Sequence, residues 1–152
     1  MPAPSRQPVF TDIPILVSTT LDPIINSSST DIGSLGVTAL FTATDTNGTL
    51  IERITVSATG DTSHTTVTAK LIYLAVYDTN TGQWNVYKTA AMPAATIDPA
   101  TPNPEIEWVF TGGLLLPESF EIAVLASTNQ TSTGQQGDKL AVTIEGSSYT
   151  AV

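Results

Sequence analysis

Among the residues whose types could carry chemistry, the clearest group is Asp78-Thr79-Asn80-Thr81-Gly82. The Asp-x-Asn-x-Gly spacing matches the first half of an EF-hand calcium loop, which supplies oxygen ligands at alternate positions. That loop also needs Gly at its sixth position and a bidentate Glu at its twelfth. Counted from Asp78, these positions hold Gln83 and Thr89. We therefore predict a turn between two strands, in which Asp78 and Asn80 bond to the local backbone.

The single histidine, His64, limits nucleophilic chemistry because the chain has no cysteine. A Ser-His-Asp triad would need this imidazole as its base. His64 lies in the polar segment TGDTSHTTVT, which we interpret as a solvated turn. The sequence contains no Gly-x-Ser-x-Gly elbow and no phosphate-binding glycine loop.

Glu105 and Glu107 are two residues apart on one predicted strand and share a face, as a glycosidase carboxylate pair could. We expect that face to be the solvated one, where carboxylates normally lie. We therefore predict that the protein is not an enzyme and holds no cofactor and no metal. A looser calcium site between loops stays an open alternative, with the candidate ligands Asp45, Asp61, Asp78, Asp98 and Asp138.

Trp84 and Trp108 are candidates for a different kind of site, an aromatic platform that binds sugar rings. Both alternate in phase with other large apolar residues, and this phase favours core packing instead. A carbohydrate-binding β-sandwich module stays the alternative function, with Trp84 and Trp108 as its glycan-binding residues.

The composition limits the partners of the protein. Its 152 residues include 5 Lys and Arg against 14 Asp and Glu, which gives a net charge of −9. Binding to phosphate groups or to anionic lipids relies on clustered cations, so we predict neither nucleic acid nor membrane as a partner. The N-terminal sequence has no basic segment followed by an apolar one, so we expect no secretory signal and a protein made in a cytoplasm.

Short apolar blocks rich in Thr, Val and Ile alternate with polar residues along the chain. This period of two predicts antiparallel strands with one solvated face. The strands that we predict cover residues 13–20, 36–44, 49–58, 66–78, 83–90, 105–111, 119–127 and 139–146, with Gly112-Gly113 among the turns. The pattern fits a sandwich or a barrel, and we expect an all-β, antiparallel two-sheet sandwich, a jelly roll of about eight strands.

Residues 1–35 differ from the β-sandwich domain that we predict at 36–152. Five prolines favour an extended N-terminal arm, yet this arm is too apolar for a solvated tail. It either packs along its own domain as an edge strand or lies on a neighbouring subunit or partner. For the second case the candidate partner-binding residues are Val9, Phe10, Ile13, Ile15 and Leu16.

The order of several segments from Gly36 to Val152 resembles small β-sandwich virion proteins of tailed bacteriophages, of the capsid decoration or cement type. The segments are LFTATDTNGTLIERITVSATGDTS, LIYLAVYDTNTGQWNVY, GGLLLPESFEIAVLAST and the terminal VTIEGSSY. The turn Leu116-Pro117-Glu118-Ser119 departs from the Pro-Ala-Gly type of turn in such chains. The arm lies outside the resemblance.

The resemblance implies a non-enzymatic decoration protein that binds the major capsid protein lattice on the outside of the head and stabilises it. It also implies a homo-oligomer, a trimer at three-fold positions, located on the virion and made in the host cytoplasm. A tail or baseplate subunit shares the fold class and stays a further alternative.

Overall fold

The computed structural model of the protein describes residues 10–21, 37, 39–59, 65–127 and 139–151. These residues form β-strands and no helix, so the predicted all-β class is confirmed. In chain order the strands are β1 Phe10–Leu21, β2 Phe41–Thr42, β3 Thr49–Thr59, β4 Thr66–Val67, β5 Lys70–Asp78, β6 Gln83–Met92, β7 Ala95–Thr96, β8 Glu105–Leu116, β9 Glu121–Ala126 and β10 Lys139–Ala151.

Two four-stranded antiparallel sheets make up most of the described structure. Sheet I has the order β1-β10-β3-β8, and sheet II has the order β2-β9-β5-β6. The short strands β4 and β7 form a separate pair. This architecture is the predicted two-sheet sandwich. The jelly-roll connectivity stays a prediction, and these two strand orders are compatible with it.

The core lies between the two sheets because each long strand turns every second side chain inward. Sheet I contributes Ile54 and Val56 of β3 and sheet II contributes Ile72 and Leu74 of β5, all four fully buried. Lys70 is in phase with Ile72 and is itself buried. The inward positions are thus rich in β-branched and leucine side chains, whose burial drives the two sheets together.

The turn between β5 and β6 is confirmed at Asp78–Gly82. The amide of Asn80 donates to Asp78 Oδ1 over 2.8 Å, and the amide of Gly82 donates to the Asp78 carbonyl over 2.8 Å. Gly82 has a φ of 69°, a left-handed conformation that suits glycine. Asp78 therefore shapes the hairpin, as its position before Asn80 predicts.

The predicted turn at Gly112-Gly113 is wrong, because β8 continues through both glycines to Leu116. Val109 pairs with Arg53 of β3, and five residues later Leu114 pairs with Ile51. The intervening residues of β8 bulge out of the ladder, and Gly112 and Gly113 adopt φ values of 78° and 81° there. A bulge of this kind needs glycine for the same conformational reason as a turn, so the local sequence is alike in both cases.

Residues 10–21 of the predicted arm form β1, which pairs with β10 over its whole length. The pairing runs without a break from Phe10 opposite Ala151 to Leu21 opposite Leu140. This is the first of the two arrangements considered for the arm, an edge strand of its own domain. The other residues of the arm, 1–9 and 22–35, lie outside the described part of the chain.

Candidate interaction surface

One row of side chains crosses the outer face of sheet I from edge to edge. Leu16 of β1 lies opposite Glu145 of β10, Glu145 lies opposite Arg53 of β3, and Arg53 lies opposite Val109 of β8. Residues directly opposite each other in a sheet share a face, and neighbouring strands are about 4.8 Å apart. The row therefore places one exposed apolar side chain at each edge of the sheet and two charged ones between them.

Arg53 connects three strands of sheet I through its guanidinium. Its Nε donates to Glu145 Oε2 over 2.6 Å, and its Nη1 donates to Glu107 Oε1 over 3.2 Å. The hydrogen bond to Glu145, followed by the one to Glu107, raises the pKa of Arg53 above its usual value. All three side chains remain well exposed, so this network fixes the cross-strand geometry more than it stabilises the fold.

A second row on the same face adds apolar surface beside the first. It contains Pro14, Ser147, Leu50 and Leu115, one from each strand in the order of the sheet. Its terminal side chain Leu115 points outward, because Leu114 and Leu116 on either side of it pack against the core. We call the apolar members of the two rows the outer patch; they are Pro14, Leu16, Leu50, Val109 and Leu115.

The outer patch contains the most exposed large apolar side chains of the described residues. Leu16 is 70% exposed, Val109 66% and Leu115 60%, whereas those on the outer face of sheet II, Leu71 and Val86, are less than half exposed. Exposed large apolar side chains that share one face of a sheet are candidates for an interaction site on a soluble protein. The outer patch is therefore the candidate interaction surface of this protein.

The other half of this outer face is polar. Ser18, Thr143, Thr55 and Glu107 form one row, in which Glu107 also accepts a hydrogen bond from Arg53. Glu105 lies further along β8 and accepts a hydrogen bond from the Ser57 hydroxyl over 2.9 Å. Both glutamates are exposed, as their predicted place on the solvated face requires.

The five predicted partner-binding residues of the arm are divided by the structure. Val9 lies outside the described residues, and Phe10 is described only by its backbone pairing with Ala151. Ile13 and Ile15 are in phase with Val17, which packs against the core, and Ile13 is still 47% exposed at the end of the sheet. Of the three whose side chains the structure describes, Leu16 projects onto the outer face.

The two tryptophans differ in position, and the expected core packing holds for Trp108 only. Trp108 lies between Ile106 and Phe110 in phase and packs against the core. Trp84 lies opposite Tyr77, on the face of sheet II that points away from the core, with 5.3 Å between the ring centroids. The core role expected for Trp84 is therefore wrong, because the edge strand β6 turns this side chain outward.

Of the aspartates considered for a looser calcium site, the three that the structure describes, Asp45, Asp78 and Asp98, do not converge. Within residues 10–21, 37, 39–59, 65–127 and 139–151, no three Asp, Glu or His side chains form a group that could hold a metal ion. Asp61 and Asp138, like His64, lie outside these ranges. In the described part of the chain, Asp98 accepts hydrogen bonds from its own loop, as Asp78 does.

Two features of the structure are not predicted from the sequence. The first is the outer patch itself, whose only local signal is apolar residues at the outward positions 16, 109 and 115. The second is a cavity of about 430 Å³ between the ends of β5 and β6, to which Lys70, Leu71, Ala91, Met92 and Ser127 contribute. The alternation of Lys70 with Ile72 and Leu74 was the available signal for a buried lysine there.

Comparisons with known proteins leave the chain without an assigned family. No protein-family model matches it, and no curated protein is significantly similar to it. In the described residues no helix has the length and apolar character needed to cross a membrane.

Proposed function

We propose that this protein is a non-enzymatic structural protein of a tailed-bacteriophage virion, which binds the outer surface of the major capsid protein lattice and stabilises the head. The outer patch on sheet I is the surface that contacts the lattice. Two observations support this function: the resemblance in segment order and the position of the exposed apolar side chains.

The observation that carries the proposal is the arrangement of Leu16 and Val109 at opposite ends of one row, with Leu115 beside them. The sandwich holds them on paired strands of one sheet, so that binding orders little additional backbone. Fully burying a leucine or valine side chain contributes about 1.5–3 kcal/mol. Three such side chains are enough for a useful contact in a lattice that binds many copies.

The charge of the protein supports the same function. A net charge of −9 disfavours non-specific self-association at high copy number and complements basic regions on a shell. Between the residues of the outer patch, Arg53 is already paired with Glu145 and Glu107. A partner that covers the patch therefore meets a pre-paired ion network at its centre and not an isolated charge.

The experiment that tests this function is binding of the purified protein to heads assembled from the major capsid protein of the same phage. Saturable co-sedimentation with heads, together with a higher temperature of head disruption, is expected. Purified tails and baseplates are the matched comparison. Binding to tails and not to heads would favour the alternative of a tail or baseplate subunit and contradict the proposal.

A second candidate function is carbohydrate binding, which the outward position of Trp84 favours. Tyr77 and Trp84 offer tilted rings on the outer face of sheet II, and the exposed Asn80 lies in the adjacent turn. Aromatic faces pack against the apolar side of sugar rings, and amides donate to hydroxyls. Glycan binding that Trp84→Ala abolishes while the protein stays folded would establish this function. Trp108→Ala tests the other predicted glycan residue, although Trp108 packs against the core.

A further inference from the structure

The four edge strands of the two sheets differ in how well they are protected against pairing with another chain. The edge strand β2 has two residues only. The other edge of sheet II, β6, is interrupted by a register shift opposite Leu74 and Ala75, and β8 is interrupted by the glycine bulge. Short strands and bulges are two devices by which natural sheets prevent edge-to-edge association.

The fourth edge strand, β1, has neither device. Its 12 residues pair with β10 in one unbroken register, and within the described residues its other side has no partner strand. Pro14 removes one backbone donor from this strand. Residues 15–18 still present backbone groups along the edge that faces away from β10.

Charge, a third protective device, is also missing from the centre of β1. Residues 13–18 have the sequence IPILVS and carry no charge, whereas β8 contains Glu105 and Glu107 and β6 contains Lys88. In a chain with a net charge of −9, the residues of this uncharged segment add no like-charge repulsion of their own when two copies meet. Leu16 and Ile13, both exposed, lie on the same segment.

We propose that β1 is a pairing edge for a second copy of this chain, so that the two β1 strands add antiparallel across a twofold axis and join both copies of sheet I into one eight-stranded sheet. An antiparallel strand pair is self-complementary, so one uncharged segment serves both sides of the interface. This inference goes beyond the proposed function, because it concerns the free protein, and it predicts a dimer where the resemblance implies a trimer.

The faces of the strand restrict the register of this pair to twofold axes that pass through a residue, and we place the axis at Leu16 because this joins the two most exposed apolar side chains. Opposite residues share a face, so Leu16 must lie opposite an outward residue, and Val17 must lie opposite an inward one. A twofold axis at Leu16 satisfies both conditions and places Leu16 next to Leu16 of the partner subunit. The outer patches of the two copies then become neighbours on one continuous face.

The test is the molar mass of the free protein, measured by light scattering and sedimentation equilibrium over a range of concentrations. The wild type is expected to dimerise. Leu16→Glu places two carboxylates opposite each other and removes the apolar contact, so it should raise the dimer dissociation constant at least about tenfold. Val109→Glu is the matched control, because it makes the same change at similar exposure on the opposite edge strand and should leave the dimer intact.

A monomeric wild type at millimolar concentration would overturn the inference, as would a trimer, because antiparallel β1 pairing closes at two copies. An unchanged dissociation constant in Leu16→Glu would overturn it too. If that variant fails to fold, hydrogen exchange of the wild type decides: protection of β1 amides should fall on dilution, and concentration-independent protection contradicts the pairing. Head binding by a monomeric wild type would refute the pairing and leave the proposed function standing.

Discussion

Leu16 and Val109 lie 93 positions apart in the chain and occupy the two ends of one row across sheet I, with the Glu145–Arg53 ion pair between them. This relationship makes the outer face of sheet I a surface with apolar ends and a charged, internally paired centre. A surface of this kind suits a flat partner, because apolar contact is available at its ends and the charges within it already have partners.

The ion network at the centre of the row should be sensitive to salt. Arg53→Gln removes the guanidinium that joins Glu145 and Glu107, and we expect a small decrease in the thermal midpoint at low ionic strength. The difference from the wild type should shrink in 0.5 M NaCl, for which a Debye length of about 4 Å follows from the screening law. Thermal unfolding at two salt concentrations measures this, and an equal difference at both would contradict an electrostatic role.

Gly146 should be irreplaceable in β10. A Cβ at this position would collide with the backbone oxygen of Leu50 and lie 3.0 Å from the Cα of Ile51. Because backbone atoms cannot move aside as a side-chain end can, Gly146→Ala should lower the free energy of unfolding by about 3 kcal/mol. Denaturant unfolding measures this cost.

Gly112→Ala is the control for Gly146→Ala. No atom lies within 4 Å of a Cβ built on Gly112, and only its φ of 78° opposes the substitution. We expect a cost of about 1 kcal/mol, the usual penalty of a left-handed conformation. A larger decrease in the free energy of unfolding for Gly112→Ala than for Gly146→Ala would contradict the close approach of β10 and β3 at Gly146.

Replacement of the two tryptophans should lower the free energy of unfolding by different amounts. Trp108→Ala removes a ring that packs against the core and should lower the free energy of unfolding by about 3 kcal/mol. Trp84→Ala removes a ring that contacts Tyr77 outside the core and should cost about 1 kcal/mol. Chemical denaturation of both variants measures these two decreases in the free energy of unfolding. Equal decreases would indicate that Trp84 packs against the core.

Much of the fold could be predicted from the sequence because alternation is a local property. Runs such as Ile54 to Ala58 and Leu140 to Ile144 place apolar residues at every second position, and these positions are the buried ones. Alternation also tells which residues share a face. It does not tell which face is inward on an edge strand. For this reason the phase that Trp84 shares with Val86 predicts core packing, although both side chains lie outside the core.

The candidate surface could not be predicted because it depends on the register between distant strands. Arg53 lies opposite Glu145 and Val109 only because the pairing register of β3 shifts beside Glu52. Glu52 and Arg53 are consecutive residues of β3, and both are exposed. The glycine bulge of β8 accommodates the same shift on the other side. No local pattern in β1, β3, β8 or β10 specifies these shifts, so the row from Leu16 to Val109 becomes visible only in the folded protein.

The central claim, that the outer patch contacts the capsid lattice, is tested most directly by the affinity of Val109→Glu for assembled heads. Val86→Glu is its control, because it adds the same charge to an exposed valine on the outer face of sheet II. We predict that Val109→Glu weakens co-sedimentation with heads at least about tenfold, which corresponds to the loss of one buried valine contact. Val86→Glu should bind as the wild type does. Equal binding of Val109→Glu and the wild type, or a loss confined to Val86→Glu, would contradict the assignment of this surface.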